Sequence, residues 1–129
     1  MELADGDTGL IESHTGDAAD LDLEVLVHRD IAVVAVRGEL DITGAPTLRA
    51  QLDGLASEGY TRLIVDLEAV QFLDSTGLGV LVGALKRAGR GGPAVELVCT
   101  QGPTLRVLGF TGLDKAFRIH SSVGEALAA

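Results

Sequence analysis

The sequence predicts an α/β fold with a mixed, mostly parallel sheet of about five strands and four helices, in the order β-β-α-β-α-β-α-β-α. Short runs rich in Val, Leu and Ile recur along the chain, and between them lie segments whose apolar residues are three and four positions apart. Alternating strands and helices require crossover connections, so most strands are expected to be parallel, after an opening antiparallel hairpin. With 129 residues, 47% of them hydrophobic, the chain suits one domain with a sizeable core.

The first part of the chain differs in composition from the rest. Residues 1–20 combine acidic residues with Gly, Ser, Thr and Ala and show no sustained period. We expect them to form a disordered acidic tail, and the domain to span residues 21–129. The first strand is expected over 21–28, where apolar and polar residues alternate, and the second over the Val-rich run 31–38.

Helices and strands alternate in the remainder of the domain. A helix is expected from about Pro46, which suits a first helical turn, with apolar positions at Ala45, Leu48, Leu52, Leu55 and Ala56. A strand over 62–67 precedes a second helix beginning at Ser75, whose apolar face is Leu78, Leu81, Val82 and Leu85. The later elements are expected as a strand over 94–99, a helix over 103–108, a strand over 116–119 and a short helix after the capping box of Ser122 and Glu125.

Charge and composition exclude several functional classes. The net charge of −9 is concentrated in residues 1–28, which hold eight acidic residues and no Lys or Arg, whereas the rest holds eleven acidic against ten basic residues. Nucleic-acid binding needs clustered cations and is not expected, and no apolar run approaches the ~20 residues of a membrane span. Without an export signal, and with Cys99 as its single cysteine, the chain is expected in the reducing cytoplasm.

No pattern in the sequence indicates catalysis. His14, His28 and His120 lack metal-ligand spacing and are expected at the surface, and Cys99 at the end of an apolar strand is expected to be buried. There is no GxSxG elbow, and the run GRGG at 89–92 lacks the Lys-Ser/Thr of a phosphate-binding loop. We therefore expect no enzymatic activity, no metal and no cofactor.

Three consecutive oxygen-bearing side chains, Asp74, Ser75 and Thr76, stand at the start of the second helix. Asp or Ser ahead of an apolar run is an ordinary helix cap, and the spacing alone favours that interpretation. However, Gly77 and Gly79 follow in the first turns, where each glycine costs about 1 kcal/mol relative to Ala. They remove bulk around the Ser75 hydroxyl and let another chain approach it. Two interpretations stay open, a helix cap and an accessible hydroxyl.

A second polar turn is expected beside this one. The stretch GELD at 38–41 follows the strand 31–38, as Asp74 and Ser75 follow the strand 62–67. If the two strands are neighbours in a parallel sheet, both turns lie at the same rim, where α/β sheets usually place their functional sites.

With these stretches in place, the sequence resembles the anti-sigma factor antagonists built on the STAS domain, over about residues 22–128. RGELDITGAPTLRAQL (37–52), LIVDLEAVQFLDSTGLGVLVGALKRA (63–88) and TGLDKAFRIHSSVGEALA (111–128) carry the resemblance, and their spacing is most similar to that of actinobacterial members. The resemblance implies a single STAS domain that regulates transcription by switching partners and is not an enzyme.

The resemblance also implies roles for individual residues. In this family the Ser that follows the Asp of a D-S-[ST]-G-L motif is phosphorylated, which nominates Ser75, with Asp74, Thr76, Gly77 and Leu78 completing the motif. Thr76 is interpreted as supporting the acceptor. The family's GELD turn faces the partner, which nominates Glu39, Leu40 and Asp41 as partner-binding residues, and Gly79 is placed with them.

The partner implied by the resemblance is an anti-sigma factor that is also a serine kinase. The unphosphorylated antagonist binds this kinase and frees a sigma factor, phosphorylation breaks the contact, and a PP2C-type phosphatase restores it. Two alternatives stay open: a STAS scaffold within a larger signalling assembly, and a small-ligand or nucleotide-binding module that uses the helix N-terminus as an anion site.

Overall fold

The computed structural model describes residues 8–15, 21–100 and 102–129, and in it the chain folds around one six-stranded sheet whose strands lie side by side in chain order. The strands are β1 (Thr8–Thr15), β2 (Leu21–His28), β3 (Ile31–Leu40), β4 (Arg62–Leu73), β5 (Ala94–Val98) and β6 (Arg118–His120). The helices are α1 (Ala45–Ala56), α2 (Ser75–Ala88), α3 (Gly102–Thr111) and α4 (Val123–Ala128), with a 3-10 turn at Leu113–Lys115. β1, β2 and β3 pair antiparallel, whereas β3, β4, β5 and β6 pair parallel. The predicted α/β class, mixed sheet and four helices are confirmed.

The sixth strand, β1, corrects the prediction of a disordered tail for residues 8–15. It pairs with β2 from Thr8 opposite His28 to Thr15 opposite Asp22. Composition did not reveal it because an edge strand is held along one side by backbone hydrogen bonds, which any residue except Pro can make. The rest of the expected tail, residues 1–7 and 16–20, lies outside the described residues, and the expectation for it stays a prediction.

Two strands continue beyond their predicted ends. β3 runs to Leu40 and β4 to Leu73, and the pairing between them shifts register twice on the way. Each shift inserts an extra residue into β4, so its inward-facing positions change from alternate residues to Leu67, Val70 and Leu73. Gly38 on the neighbouring strand has φ of 107°, a conformation that favours glycine. The bulges broke the two-residue alternation on which the predicted strand ends depended.

The sheet separates two cores of unequal size. The larger core lies on the face covered by α1, α2 and α3, and includes Val34 and Val65 of adjacent strands. The smaller core lies on the other face and joins Val33, Ile64 and Val98 to Ala126 of α4. Consecutive residues of one strand therefore face different cores. Because both faces are buried, the sequences of these strands are nearly continuous apolar runs.

A buried polar cluster lies beside the smaller core. Glu96 and His120 are each 5% exposed, and His120 Nε2 lies 2.7 Å from Glu96 Oε1. Arg62 donates from Nε and Nη2 to the two oxygens of Glu96 at 2.7 and 2.6 Å, and its Nη2 also donates to the carbonyl oxygen of Ala126 at 2.8 Å. Burial by itself raises the pKa of Glu96, but the hydrogen bonds from Arg62 and His120 outweigh it and hold that pKa below its usual value.

This cluster corrects one prediction about the histidines. His120 was expected at the surface, but it is buried because Glu96, on the neighbouring strand β5, forms a hydrogen bond with its Nε2. The sequence offered a weak signal: Glu96 stands within the apolar run AVELVC, and a carboxylate buried there requires a cationic partner. The expectation that Cys99 is buried is confirmed.

Candidate functional site

The two polar turns lie at one rim of the sheet. β3 and β4 are parallel neighbours, and their last residues, Leu40 and Leu73, pair with each other. The backbone N–H of Asp74 donates to the carbonyl oxygen of Leu40 at 3.3 Å. The start of α2 is thereby attached directly to the end of β3, and the expectation of a shared rim is confirmed.

Asp74 caps α2. Its backbone is extended, with φ of −108° and ψ of −173°, and its Oδ1 accepts from the N–H of Thr76 at 2.9 Å and of Gly77 at 3.1 Å. These are two of the N–H groups that a helix start leaves without partners. Asp74 therefore accounts for the cap by itself, and Ser75 is the first residue of the helix.

Ser75 is exposed, and its hydroxyl forms no hydrogen bond with any residue in the described part of the chain. Because Asp74 supplies the cap, no structural role within the fold requires the Ser75 oxygen. Of the two interpretations of this stretch, the accessible hydroxyl now has geometric support, and it coexists with the cap one residue earlier. Thr76 is also exposed.

Gly77 of the motif and Gly79, just after it, differ in how tightly the fold packs around them. A Cβ on Gly77 would lie 2.5 Å from the carbonyl oxygen of Leu40 and 2.7 Å from Cδ1 of Leu73, so the fold requires a glycine there. A Cβ on Gly79 would meet nothing within 4 Å, so the fold does not. Gly77 is buried and positions α2 against β3, whereas Gly79 is exposed and leaves open space. Leu78 is half-buried against the larger core.

The GELD turn presents only part of the surface expected of it. Asp41 is half-buried, and its Oδ1 accepts from the N–H of Thr43 at 3.0 Å and of Gly44 at 3.1 Å, which shapes the turn into α1. Glu39 is half-buried. Leu40 is 0% exposed, which corrects the expectation that its side chain contacts a partner. An apolar side chain between two strand ends is buried by the larger core, so Leu40 supports the rim from inside.

Two exposed apolar side chains at this rim were not singled out from the sequence. Ile42 follows Asp41 and is 73% exposed, and Phe72, paired with Glu39, is 47% exposed. Both side chains leave apolar surface in water at the rim that carries the Ser75 hydroxyl. Ile42 had a signal, since it is the one large apolar residue between Leu40 and Leu48.

The chemical surroundings of the Ser75 hydroxyl are simple. No hydrogen bond from a described residue orients or deprotonates it. Across residues 8–15, 21–100 and 102–129, no group of three or more His, Cys, Asp or Glu is placed to hold a metal ion. None of the described helices combines the length and apolar character that crossing a bilayer requires.

Comparisons with known proteins agree with the fold. The chain is 33% identical over 100 residues to the anti-sigma-F factor antagonist RsfB of Mycobacterium tuberculosis, covering 78% of this chain and 81% of RsfB. Its fold matches the crystal structure of an anti-sigma factor antagonist from Mycobacterium paratuberculosis with a TM-score of 0.78 and 30% identity, over 89% and 97% of the two chains.

A further structural match is the phosphorylated form of the Bacillus cell fate determinant SpoIIAA, with a TM-score of 0.63 and 29% identity, over 84% of this chain and 96% of SpoIIAA. The sequence profile of the STAS domain matches residues 22–126, which include both turns of the rim, the helix that begins at Ser75 and the buried cluster. This chain belongs to the STAS domain family and, within it, is similar to the anti-sigma factor antagonists.

Proposed function

We propose that this chain is an anti-sigma factor antagonist that is switched by phosphorylation of Ser75. In its unphosphorylated form it binds an anti-sigma factor with serine kinase activity, and the sigma factor is released. Phosphorylation of Ser75 by that kinase ends the contact. The observation that carries the proposal is the exposed Ser75 hydroxyl, which the Asp74 cap leaves without a bond to any described residue.

The position of Ser75 explains how a phosphate acts without refolding the domain. At the first residue of α2, a phosphate meets the positive end of the helix dipole, an effect worth about 0.3–1 kcal/mol for an exposed anion. The match to the phosphorylated form of SpoIIAA supports a fold that accommodates the group. The phosphate therefore changes the surface more than it changes the fold.

The phosphate affects the affinity for a partner more than it affects the helix that carries it. A phosphoserine adds about −1.5 to −2 charges, here beside Asp74 and near the exposed Ile42 and Phe72. A complex that covers this rim has to remove water from the new charge. A charge that is buried in an interface without a partner costs about 2–5 kcal/mol of binding free energy. Such a cost lowers affinity by about 30-fold or more. The switch requires only this charge at the rim.

The remaining parts of the proposal follow from the same reaction. A PP2C-type phosphatase hydrolyses the phosphoserine and restores binding, and the antagonist itself catalyses neither step. We place the protein in the cytoplasm, because ATP-dependent kinases and the transcription machinery work there. Glu39, Asp41 and Gly79 are the contacts that the GELD turn and α2 offer to the kinase from their exposed or half-buried positions.

The test is phosphorylation by the ATP-binding anti-sigma factors encoded in the same genome, each purified and incubated with this protein and ATP. Intact mass measurement is expected to show one added phosphoryl group on the wild type and on Thr76→Ala, and none on Ser75→Ala. Ser75→Glu is expected to bind the kinase at least about 30-fold more weakly than the wild type. Phosphorylation of Ser75→Ala, or a wild type that no such kinase modifies, contradicts the proposal.

A further inference from the structure

A groove of about 320 Å³ lies between α1 and α2, on the helical side of the sheet. α1 contributes Arg49, Leu52 and Asp53 to it, and α2 contributes residues from Gly79 to Arg87. We call this surface the α1–α2 groove. It is separate from the GELD turn, but it shares the helix that begins at Ser75.

The α1–α2 groove is basic, although the chain as a whole is acidic. Four cations line it, Arg49, Lys86, Arg87 and Arg90, against one carboxylate, that of Asp53. Arg87 Nη1 pairs with Asp53 Oδ1 at 2.6 Å, whereas the other three cations form no ion pair with a described residue and are exposed. The groove therefore keeps a net positive charge within a chain whose net charge is −9.

The floor of the groove leads to the acceptor. Ser75, Gly79 and Gly83 are spaced four residues apart on α2, so they lie on one face of the helix. A Cβ at Gly79 or Gly83 would meet nothing within 4 Å. Neither glycine is required by packing, and together they leave the floor open to the backbone of another chain.

We propose that the α1–α2 groove binds an extended acidic segment of the partner kinase and so places the kinase over Ser75. The identity of the partner rests on the proposed function; the chemistry of the segment rests on the groove. The floor from Gly79 to Arg87 rises about 12 Å along the helix, at 1.5 Å per residue. That length matches about four residues of extended peptide, at about 3.3 Å each, whereas one phosphate group reaches only one end of it.

The first test uses a fluorescein-labelled hexaglutamate peptide and anisotropy at low and high salt. The wild type and Ser75→Ala are expected to bind it alike, and salt is expected to weaken binding because the contacts are exposed ion pairs. The double variant Arg49→Glu/Arg90→Glu is expected to bind at least about tenfold more weakly. The matched control is Arg106→Glu/Arg118→Glu, which makes the same charge change at exposed positions outside the groove and is expected to bind within about twofold of the wild type.

Two outcomes overturn the inference at this stage. Equal losses in the groove variant and the control show that only overall charge matters. Binding of tripolyphosphate with no binding of hexaglutamate shows that the groove takes a small anion rather than a peptide. Urea unfolding of both double variants verifies that they are folded, so that a loss of binding is read as a loss of contact.

The second test separates this inference from the proposed function. With a kinase that phosphorylates the wild type, Arg49→Glu/Arg90→Glu is expected to raise KM for the antagonist about tenfold and leave kcat unchanged, because the groove lies away from the reacting hydroxyl. An unchanged KM refutes the docking role while the phosphorylation of Ser75 stands. Failure of every kinase to modify the wild type refutes the proposed function, and the peptide measurement then decides the groove by itself.

Discussion

The requirement for glycine at position 77 gives a sharp test of how α2 is attached to the sheet. In Gly77→Ala, the new methyl group would lie 2.5 Å from the carbonyl oxygen of Leu40, which is 0.9 Å short of the 3.4 Å at which ordinary contact begins. It would also lie 2.7 Å from Cδ1 of Leu73. The carbonyl group belongs to the backbone at the end of β3, so relief requires a movement of α2 rather than a change of rotamer.

The magnitude follows from two opposing effects. Replacing a helical Gly by Ala stabilises by up to about 1 kcal/mol, whereas forcing a methyl group into a packed site costs about 1–3 kcal/mol. With three contacts under 3 Å, the upper part of that range applies, and we expect Gly77→Ala to lower the free energy of unfolding by about 1–2 kcal/mol. Gly79→Ala, two residues further along the same helix, meets nothing within 4 Å and is expected to raise it by about 0.5–1 kcal/mol.

Urea unfolding followed by circular dichroism measures both variants beside the wild type. The expected difference in unfolding free energy between the two variants is about 1.5–3 kcal/mol, which separates their midpoints by about 0.5–3 M urea at the usual slopes of about 1–3 kcal/mol per molar urea. If the unfolding free energy falls with urea concentration at the same slope in all three proteins, only stability has changed. A Gly77→Ala variant as stable as the wild type would refute the reasoning, because the close approach of α2 to Leu40 would then not constrain the residue.

Three further predictions concern the cap and the buried cluster. Asp74→Ala is expected to lower the free energy of unfolding by about 1 kcal/mol through the loss of two accepted hydrogen bonds, and Asp74→Asn by less; equal losses in the two variants would contradict the cap. Glu96→Gln is expected to cost about 3 kcal/mol in urea, because it leaves the charge of Arg62 unpaired, and a cost under about 1 kcal/mol would contradict that role. The pKa of Glu96 is lowered on folding, so its contribution to the free energy of unfolding is present above its unfolded pKa and is lost as pH falls through the folded pKa. Acid is therefore expected to destabilise the wild type more steeply than Glu96→Gln. Parallel curves of unfolding free energy against pH for the two proteins would contradict this prediction.

The order of the elements could be predicted because each buried strand and each amphipathic helix carries its own local pattern. The ends of β3 and β4 could not, since the bulges in β4 between Asp66 and Phe72 interrupt the alternation from which a strand is recognised. β1 was missed for a different reason, because residues 8–15 show no sustained two-residue alternation in the sequence. A local sequence pattern identifies the buried part of a strand, but it does not show how far pairing with a neighbouring strand extends that strand.

The candidate site was predicted in part. The motif around Ser75 was found, because consecutive polar residues before an apolar helix stand out in a sequence. Which of them caps the helix depends on atomic contacts, and these assign the cap to Asp74. The burial of Leu40 and the exposure of Ile42 depend on how β3 and β4 end side by side. The ends of these two strands are far apart in the sequence, so no local pattern predicts their contact.

The attachment of α4 by Arg62 also bears on the order in which the protein acquires its structure during synthesis. The guanidinium group at the start of β4 binds the carbonyl oxygen of Ala126, 64 positions later in the chain. The ribosome therefore makes α2, β5, α3 and β6 before this bond can form. Until then, one face of the sheet exposes Val33 and Ile64 to water, while the helices of the opposite face are already available to pack. In a nascent chain, one face of the sheet is therefore covered by helices while the other still exposes apolar side chains. Chaperones that bind apolar strands are expected to bind the face that α4 later covers.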